Sequence, residues 1–264
     1  MRIGWAALLP LLASPAMAAE LRDYCPERPG LNTPACTIDA GHVSIETGLA
    51  GWTRDSNAAT RTDTLLIGDT LVRVGLTDAI EARLGWTPLG IERERDLATG
   101  AVSRTSRVGD ATLGLKASLV SPDGSGASIA LLPYATLPVG RRPIGAGDWG
   151  AGLLVPASYE LSPTLSLSLT PEIDAAVDED GRGRHLAYGG AAGIGVKLSE
   201  AVTTALEISA IRDRDPSEHS TEMLLGASLG WQPSSDLQLD IGADAGLNRD
   251  TPDLAVSMGV SRRF

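Results

Sequence analysis

From His42 onward the chain repeats one device, and that device limits what it can become. A run of about ten to thirteen residues alternates apolar with small, polar or charged side chains, and a break follows. Successive side chains of a strand point to opposite faces, so each run offers one oily face and one wet face. Leu165, Leu167, Leu169, Ile173 and Val177 oppose Ser166, Ser168, Thr170, Glu172 and Asp174. Leu237, Leu239, Ile241 and Ala243 oppose Gln238, Asp240 and Asp244, and Ile80, Leu84 and Trp86 oppose Glu81 and Arg83. Arg73, Asp69, Lys116, Glu160, Lys197 and Glu207 take the wet phase of their runs. An arginine or lysine facing lipid at mid-depth costs about 2–4 kcal/mol. The charges therefore face inward if hydrocarbon meets the oily phase.

The breaks alternate in kind. Short ones at Thr77–Ala79, Ser121–Gly126, Ser162–Thr164, Ser199–Ala201 and Pro233–Asp236 alternate with longer or more charged ones. The latter are Arg54–Thr62, Glu92–Arg107, Val139–Asp148, Asp178–Arg184, Asp213–His219 and Arg249–Pro252. Short turns at one end and elaborate loops at the other predict an all-β, transmembrane, up-and-down antiparallel β-barrel of about 12 strands, with both termini on the short-turn, periplasmic side. The last run ends in Phe264, the only phenylalanine, and resembles the carboxy-terminal insertion signal of bacterial outer-membrane barrels. Arg262 occupies the outward position before it, where a snorkelling arginine suits the membrane rim. Trp52, Trp86, Trp149, Trp231 and Tyr159 sit near run ends, as interfacial girdles do, although aromatics favour strands in any sheet. Pro133, Pro156 and Pro171 fall inside runs, where bulges would reconcile them with pairing.

The amino terminus points to export. Arg2, the apolar stretch Ile3–Leu12 and the small-x-small site Ala16-Met17-Ala18 form a signal peptide over residues 1–18. A periplasmic segment, 19–41, follows, and the barrel occupies 42–264. Cys25 and Cys36, the only cysteines, fit a disulfide in an oxidising compartment. Lipidation lacks a lipobox, and two thiolates without histidine make a weak metal site. Whether this segment fills the lumen or hangs free is left open by its sequence. With 33 acidic against 22 basic residues, nucleic acid is not an expected partner. Lipid, lipopolysaccharide, the barrel-insertion machinery and a small-molecule solute are.

Catalytic machinery is hard to assemble. Of the three histidines, only His185 has imaginable triad partners, Ser220 or Asp180, and Gly124-Ser125-Gly126 lies in a turn rather than a nucleophile elbow. Asp178-Glu179-Asp180-Gly181-Arg182-Gly183 lacks the spacing and terminal glutamate of a calcium loop. Gly145–Gly150 joins no strand to a helix, so no phosphate cradle is expected. No catalytic residue, metal or cofactor is assigned, and no enzyme is expected.

Val108-Gly109-Asp110-Ala111-Thr112-Leu113-Gly114-Leu115-Lys116, then Leu137-Pro138-Val139-Gly140, then Gly145-Ala146-Gly147-Asp148-Trp149 and the strand through Tyr159-Glu160-Leu161 resemble a known set. It is the outer-membrane family linked to the MetA pathway of phenol degradation. The resemblance implies an outer-membrane barrel concerned with uptake of small, often hydrophobic or aromatic compounds. The working residues would be the lumen lining: Glu46, Asp69, Arg73, Glu81, Arg83, Lys116, Glu160, Glu172, Asp174, Lys197, Glu207, Asp240 and Asp244. They line a pore in the leading expectation, a passive channel. They cross-link into a polar plug in the alternative, a structural or surface-interaction barrel.

Overall fold

The computed structural model describes residues 21–264, so the expected signal peptide, 1–18, lies outside the described residues. Sixteen strand segments follow one another: β1 (Val43–Ser56), β2 (Thr60–Ile67), β3 (Asp69–Thr77), β4 (Ile80–Trp86), β5 (Leu89–Asp96), β6 (Val102–Arg107), β7 (Ala111–Val120) and β8 (Ala127–Leu137). Then come β9 (Gly150–Leu154), β10 (Ala157–Ser162), β11 (Leu165–Val177), β12 (Arg184–Ser199), β13 (Val202–Arg214), β14 (His219–Ser234), β15 (Leu237–Gly246) and β16 (Leu254–Arg263). Four pairs of segments, β2–β3, β4–β5, β6–β7 and β9–β10, are each one stave broken once. The wall therefore has twelve antiparallel staves, and β16 closes it on β1 from Ser44↔Arg263 to Arg54↔Leu254. Val43 and Phe264 exchange backbone hydrogen bonds at the seam. Closure leaves no lipid-facing edge, which a bilayer requires of any sheet that spans it.

The alternation maps onto the wall as the sequence implies. Leu239 is 39% exposed and its neighbour Asp240 is 7% exposed; Leu84 is 45% exposed while Arg73, on the paired stave, is fully buried. The exposed leucines, isoleucines and valines form the outside. The core of this protein is its polar lumen. Trp86, Trp149, Tyr159 and Trp231 all face outward.

Three expectations are corrected. Arg54–Thr62 and Glu92–Arg107 are mostly strand: β1 runs to Ser56, and β5 and β6 pair from Gly90↔Arg107 to Arg95↔Val102. Both faces of these extensions meet polar groups, so alternating charge no longer marks a loop. Asp63 there accepts from Arg54 and Arg61. The prolines need no bulges either. The pairing keeps one register across the break at Val155-Pro156, with Leu132↔Leu154 and Ile129↔Ala157 on one side and Leu154↔Glu172 and Ala157↔Leu169 on the other. Pro156 simply omits a donor while its carbonyl accepts from Ala130.

Ile241 stands outward midway along β15. Ile241→Arg is expected to destabilise the barrel by about 2–4 kcal/mol in reversible urea unfolding from phospholipid vesicles. An unchanged midpoint would contradict the outward assignment.

Candidate functional site

Residues 21–41 contain no strand, yet most of them are buried or half-buried, because they thread the lumen. A disulfide joins Cys25 to Cys36 and closes the segment into a loop. Such a cross-link stabilises by about 2–4 kcal/mol, mainly by restricting the undocked chain. The loop meets the wall through charged side chains, and Arg73 of β3 is the centre of that contact. Its guanidinium has five N–H donors, and all five find acceptors. Nε and Nη2 grip Glu81 of β4, each at 2.9 Å. Nη1 reaches Glu46 of β1 at 3.0 Å and the Cys25 carbonyl at 2.8 Å, and Nη2 also reaches the Cys36 carbonyl at 3.3 Å.

Lys116 of β7 completes this cluster. It donates to Glu27 at 2.5 Å, to the Pro34 carbonyl at 3.0 Å and to the Cys36 carbonyl at 3.3 Å. Arg83 of β4 also pairs with Glu27. The wall supplies three cations (Arg73, Arg83, Lys116) against two anions (Glu46, Glu81), and Glu27 brings the balance to three and three. Burial alone would raise the Glu27 carboxyl, but the Arg83 guanidinium and the Lys116 ammonium overturn that and hold it down at about 2. Glu46 in turn accepts from the Glu27 and Arg28 amides, and Glu81 from the Ile38 amide.

The opposite wall holds the same segment by other means. Glu207 of β13 accepts from the Leu31 amide at 2.7 Å, the Asn32 amide at 3.2 Å and the Asn32 side chain at 2.9 Å. Asp240 of β15 pairs with Arg28 at 3.2 Å, and Gln238 donates to the Arg28 carbonyl. Close approach needs glycine at two wall positions. A side chain at Gly75 would overlap the Asp39 carbonyl, and one at Gly259 would overlap the Arg28 guanidinium.

Nine of the thirteen lumen residues expected from the sequence fall into two groups. Glu46, Arg73, Glu81, Arg83 and Lys116 make one cluster with Glu27. Glu207 and Asp240 face the segment from the other side, with Asp244 beside Gly226 and Asp174 accepting from Tyr134 at 2.6 Å. Glu172 lies two residues from Asp174 on the same strand face. Asp69 stands nearer the loop end, accepting from Thr87. Glu160 and Lys197 lie at the short-turn rim, where Glu160 accepts from the Gly126 amide and Lys197 pairs with Glu200. The sequence reading missed Glu27, Arg28 and Asn32, which lie in a stretch without periodicity. The odd charge on the wall was the available signal. Two cavities flank the segment. One, of about 420 Å³, opens toward the short turns between Asn32, Glu207, Ser166 and Lys197; the other, of about 270 Å³, lies between Pro29, Glu46, Asp69 and Gly85.

The triad candidates do not assemble. His185 faces Asp178, Asp213 and Asp215 rather than Ser220 or Asp180, and Ser125 donates to Asp123. The Gly-Asp and glycine-rich motifs do meet each other. Asp110 accepts from the Gly140 and Ala146 amides and so fastens the 138–149 loop to the residues that enter β7.

The family described as "Putative MetA-pathway of phenol degradation" matches residues 27–264, and the chain belongs to it. No curated protein sequence matches the chain. Among solved structures, the COG4313 outer membrane channel from Pseudomonas putida F1 is 15% identical, with a TM-score of 0.68 over 87% of this chain and 97% of that one. The KdgM porin in complex with disordered oligogalacturonate is 11% identical, with a TM-score of 0.52 over 84% and 99%. The transport unit of the autotransporter AIDA-I from Escherichia coli is 9% identical, with a TM-score of 0.50 over 84% and 89%. These likenesses establish the outer-membrane barrel fold.

Glu27 has a lower pKa docked than free, where its ordinary value is 4.5. Its contribution to docking is therefore complete above about pH 4.5 and is lost as pH falls from there toward 2. Hydrogen exchange at the Leu31 and Asn32 amides, divided by its intrinsic rate at each pH, is expected to accelerate across that window and not between pH 6 and 8. In Glu27→Gln it should be at least about 100-fold faster at pH 7, because an uncompensated buried partner costs about 3–5 kcal/mol. Wild-type exchange rates in Glu27→Gln would refute the coupling.

Proposed function

We propose that this member of the MetA-pathway family is a passive outer-membrane channel for small molecules, with residues 21–41 as a gate resident in its lumen. The observation that carries this reading is how the segment is held. It is fixed by side chains and amides, with no strand pairing to the wall, so it can leave without breaking a single ladder of the barrel. The flanking cavities then join into one aqueous path.

The charges predict what that path prefers. Glu172, Asp174, Glu207, Asp240 and Asp244 line β11, β13 and β15, and among the described residues only Arg28, from the gate, ion-pairs with any of them. With the gate displaced, that face is acidic and uncompensated. It favours cationic and neutral small solutes over anions, by the field that like-signed linings create. Aromatic solutes, which the family description raises, enter this proposal as candidates for the same path.

Several finer assignments belong to the same reading. Residues 1–18 are the export signal, and the short-turn end, with both termini, faces the periplasm. The apolar exterior contacts lipid, and the basic and acidic loops contact lipopolysaccharide. Phe264, 59% exposed with Arg262 stacked over its ring, is the handle for the insertion machinery. A second reading has one specific observation in its favour. The fully satisfied Arg73 suits a permanently sealed structural barrel.

Planar-bilayer recording separates the two. A chain lacking residues 22–41 is expected to conduct in discrete steps at least about tenfold larger than the full-length chain, with a reversal potential of cation sign in a salt gradient. Asp240→Asn with Asp244→Asn should move that potential toward zero. Silence from both chains would support the sealed barrel, and anion selectivity would overturn the charge argument.

A further inference from the structure

At the loop end of the barrel, four side chains meet that the channel reading does not use. Asp178 follows β11, His185 is the second residue of β12, Asp213 lies near the end of β13, and Asp215 follows it. The His185 side chain is only 5% exposed. Its Nδ1 stands 2.9 Å from Asp178 Oδ1 and 3.4 Å from Asp215 Oδ2. Its Nε2 is 2.8 Å from Asp213 Oδ1, yet in a direction that leaves that buried nitrogen without an aligned hydrogen bond. Among the described residues, no lysine or arginine ion-pairs with these three carboxylates. Arg142 reaches only the Asp178 carbonyl, Arg184 pairs with Asp148, and Arg212 donates to Thr221. One imidazole carries at most one positive charge, so the cluster keeps at least two negative charges without a partner.

We propose that Asp178, His185 and Asp215 form a binding site for a borderline divalent transition-metal ion of the zinc type. Donors on a tetrahedral zinc, at about 2.0–2.1 Å from the metal, stand about 3.3 Å apart. The separations of 2.9 and 3.4 Å bracket that value, the three donor atoms all lie within 4.8 Å of one another, and an entering ion would displace to solvent the proton that His185 Nδ1 and Asp178 now share in a hydrogen bond. An imidazole nitrogen with two carboxylate oxygens suits zinc better than the oxygen-seeking calcium or magnesium. Asp213 lies 2.8 Å from the far ring nitrogen, and a small turn of the imidazole would let it accept that N–H, as the outer partner of a metal-bound histidine does.

The donors are also held in advance. The Asp215 carboxylate accepts from the Ser217 amide and hydroxyl and from the Glu179 amide. Asp178 occupies the space that a side chain at Gly183 would need. A bound ion would staple the loop 178–183 to the loop 215–218, the two connections above the acidic face of the lumen.

The test is calorimetric titration of the detergent-solubilised, chelator-treated full-length chain with zinc alone. One zinc per chain is expected. His185→Gln and Asp178→Asn should each weaken binding at least tenfold, while His219→Gln, in a residue outside the set, leaves it unchanged. Each variant is compared only where its β-sheet circular dichroism and heat-modifiable gel mobility match wild type. If one fails to fold, the other decides. Absence of saturable uptake by the folded wild type, or wild-type affinity in a folded His185→Gln or Asp178→Asn, overturns the site.

Discussion

The five hydrogen bonds of the Arg73 guanidinium carry more of this molecule than any other single contact. A buried charge is tolerable only when its donors are met, and removing one partner costs several kcal/mol. Three of those acceptors are carboxylate oxygens on neighbouring staves, and two are carbonyls of the disulfide-closed segment. Wall and gate therefore satisfy the same cation. The state of the lumen is tied to the electrostatics of β1, β3 and β4, and the segment is held without being part of the sheet.

The two sides of the lumen hold the gate differently, and the difference bears on transport. Toward β3, β4 and β7 the contact is ionic and balanced, three charges against three. Toward β11, β13 and β15 it rests mostly on amides donating to Glu207, with Arg28 meeting Asp240 alone. Departure of the gate leaves the first side one positive charge in excess and the second side several negative charges in excess. Opposed faces of unlike sign make a filter as well as a hole.

Much of the wall was legible because hydrocarbon enforces a rule of period two. Leu239 outward and Asp240 inward follow from that rule, as do the inward Arg73 and Lys116. The rule fails where its cause is missing. Beyond the apolar belt both strand faces meet water, so Glu92-Arg93-Glu94-Arg95 read as a loop although it forms a strand. The course of residues 21–41 has no periodic signature, since nothing repeats along a segment that touches a different stave every few residues. The cluster around His185 was invisible for another reason. Asp178 and Asp215 come together only through the register of β11, β12 and β13.

The most direct test of the central claim is a cross-link between gate and wall. A side chain at Gly226 would lie against Leu31, so Leu31→Cys with Gly226→Cys brings two thiols together inside the lumen. The account predicts that this pair oxidises within the folded barrel and that the locked chain is silent in a planar bilayer until reduced. Failure of the pair to form, or undiminished conductance once it has formed, would contradict the account.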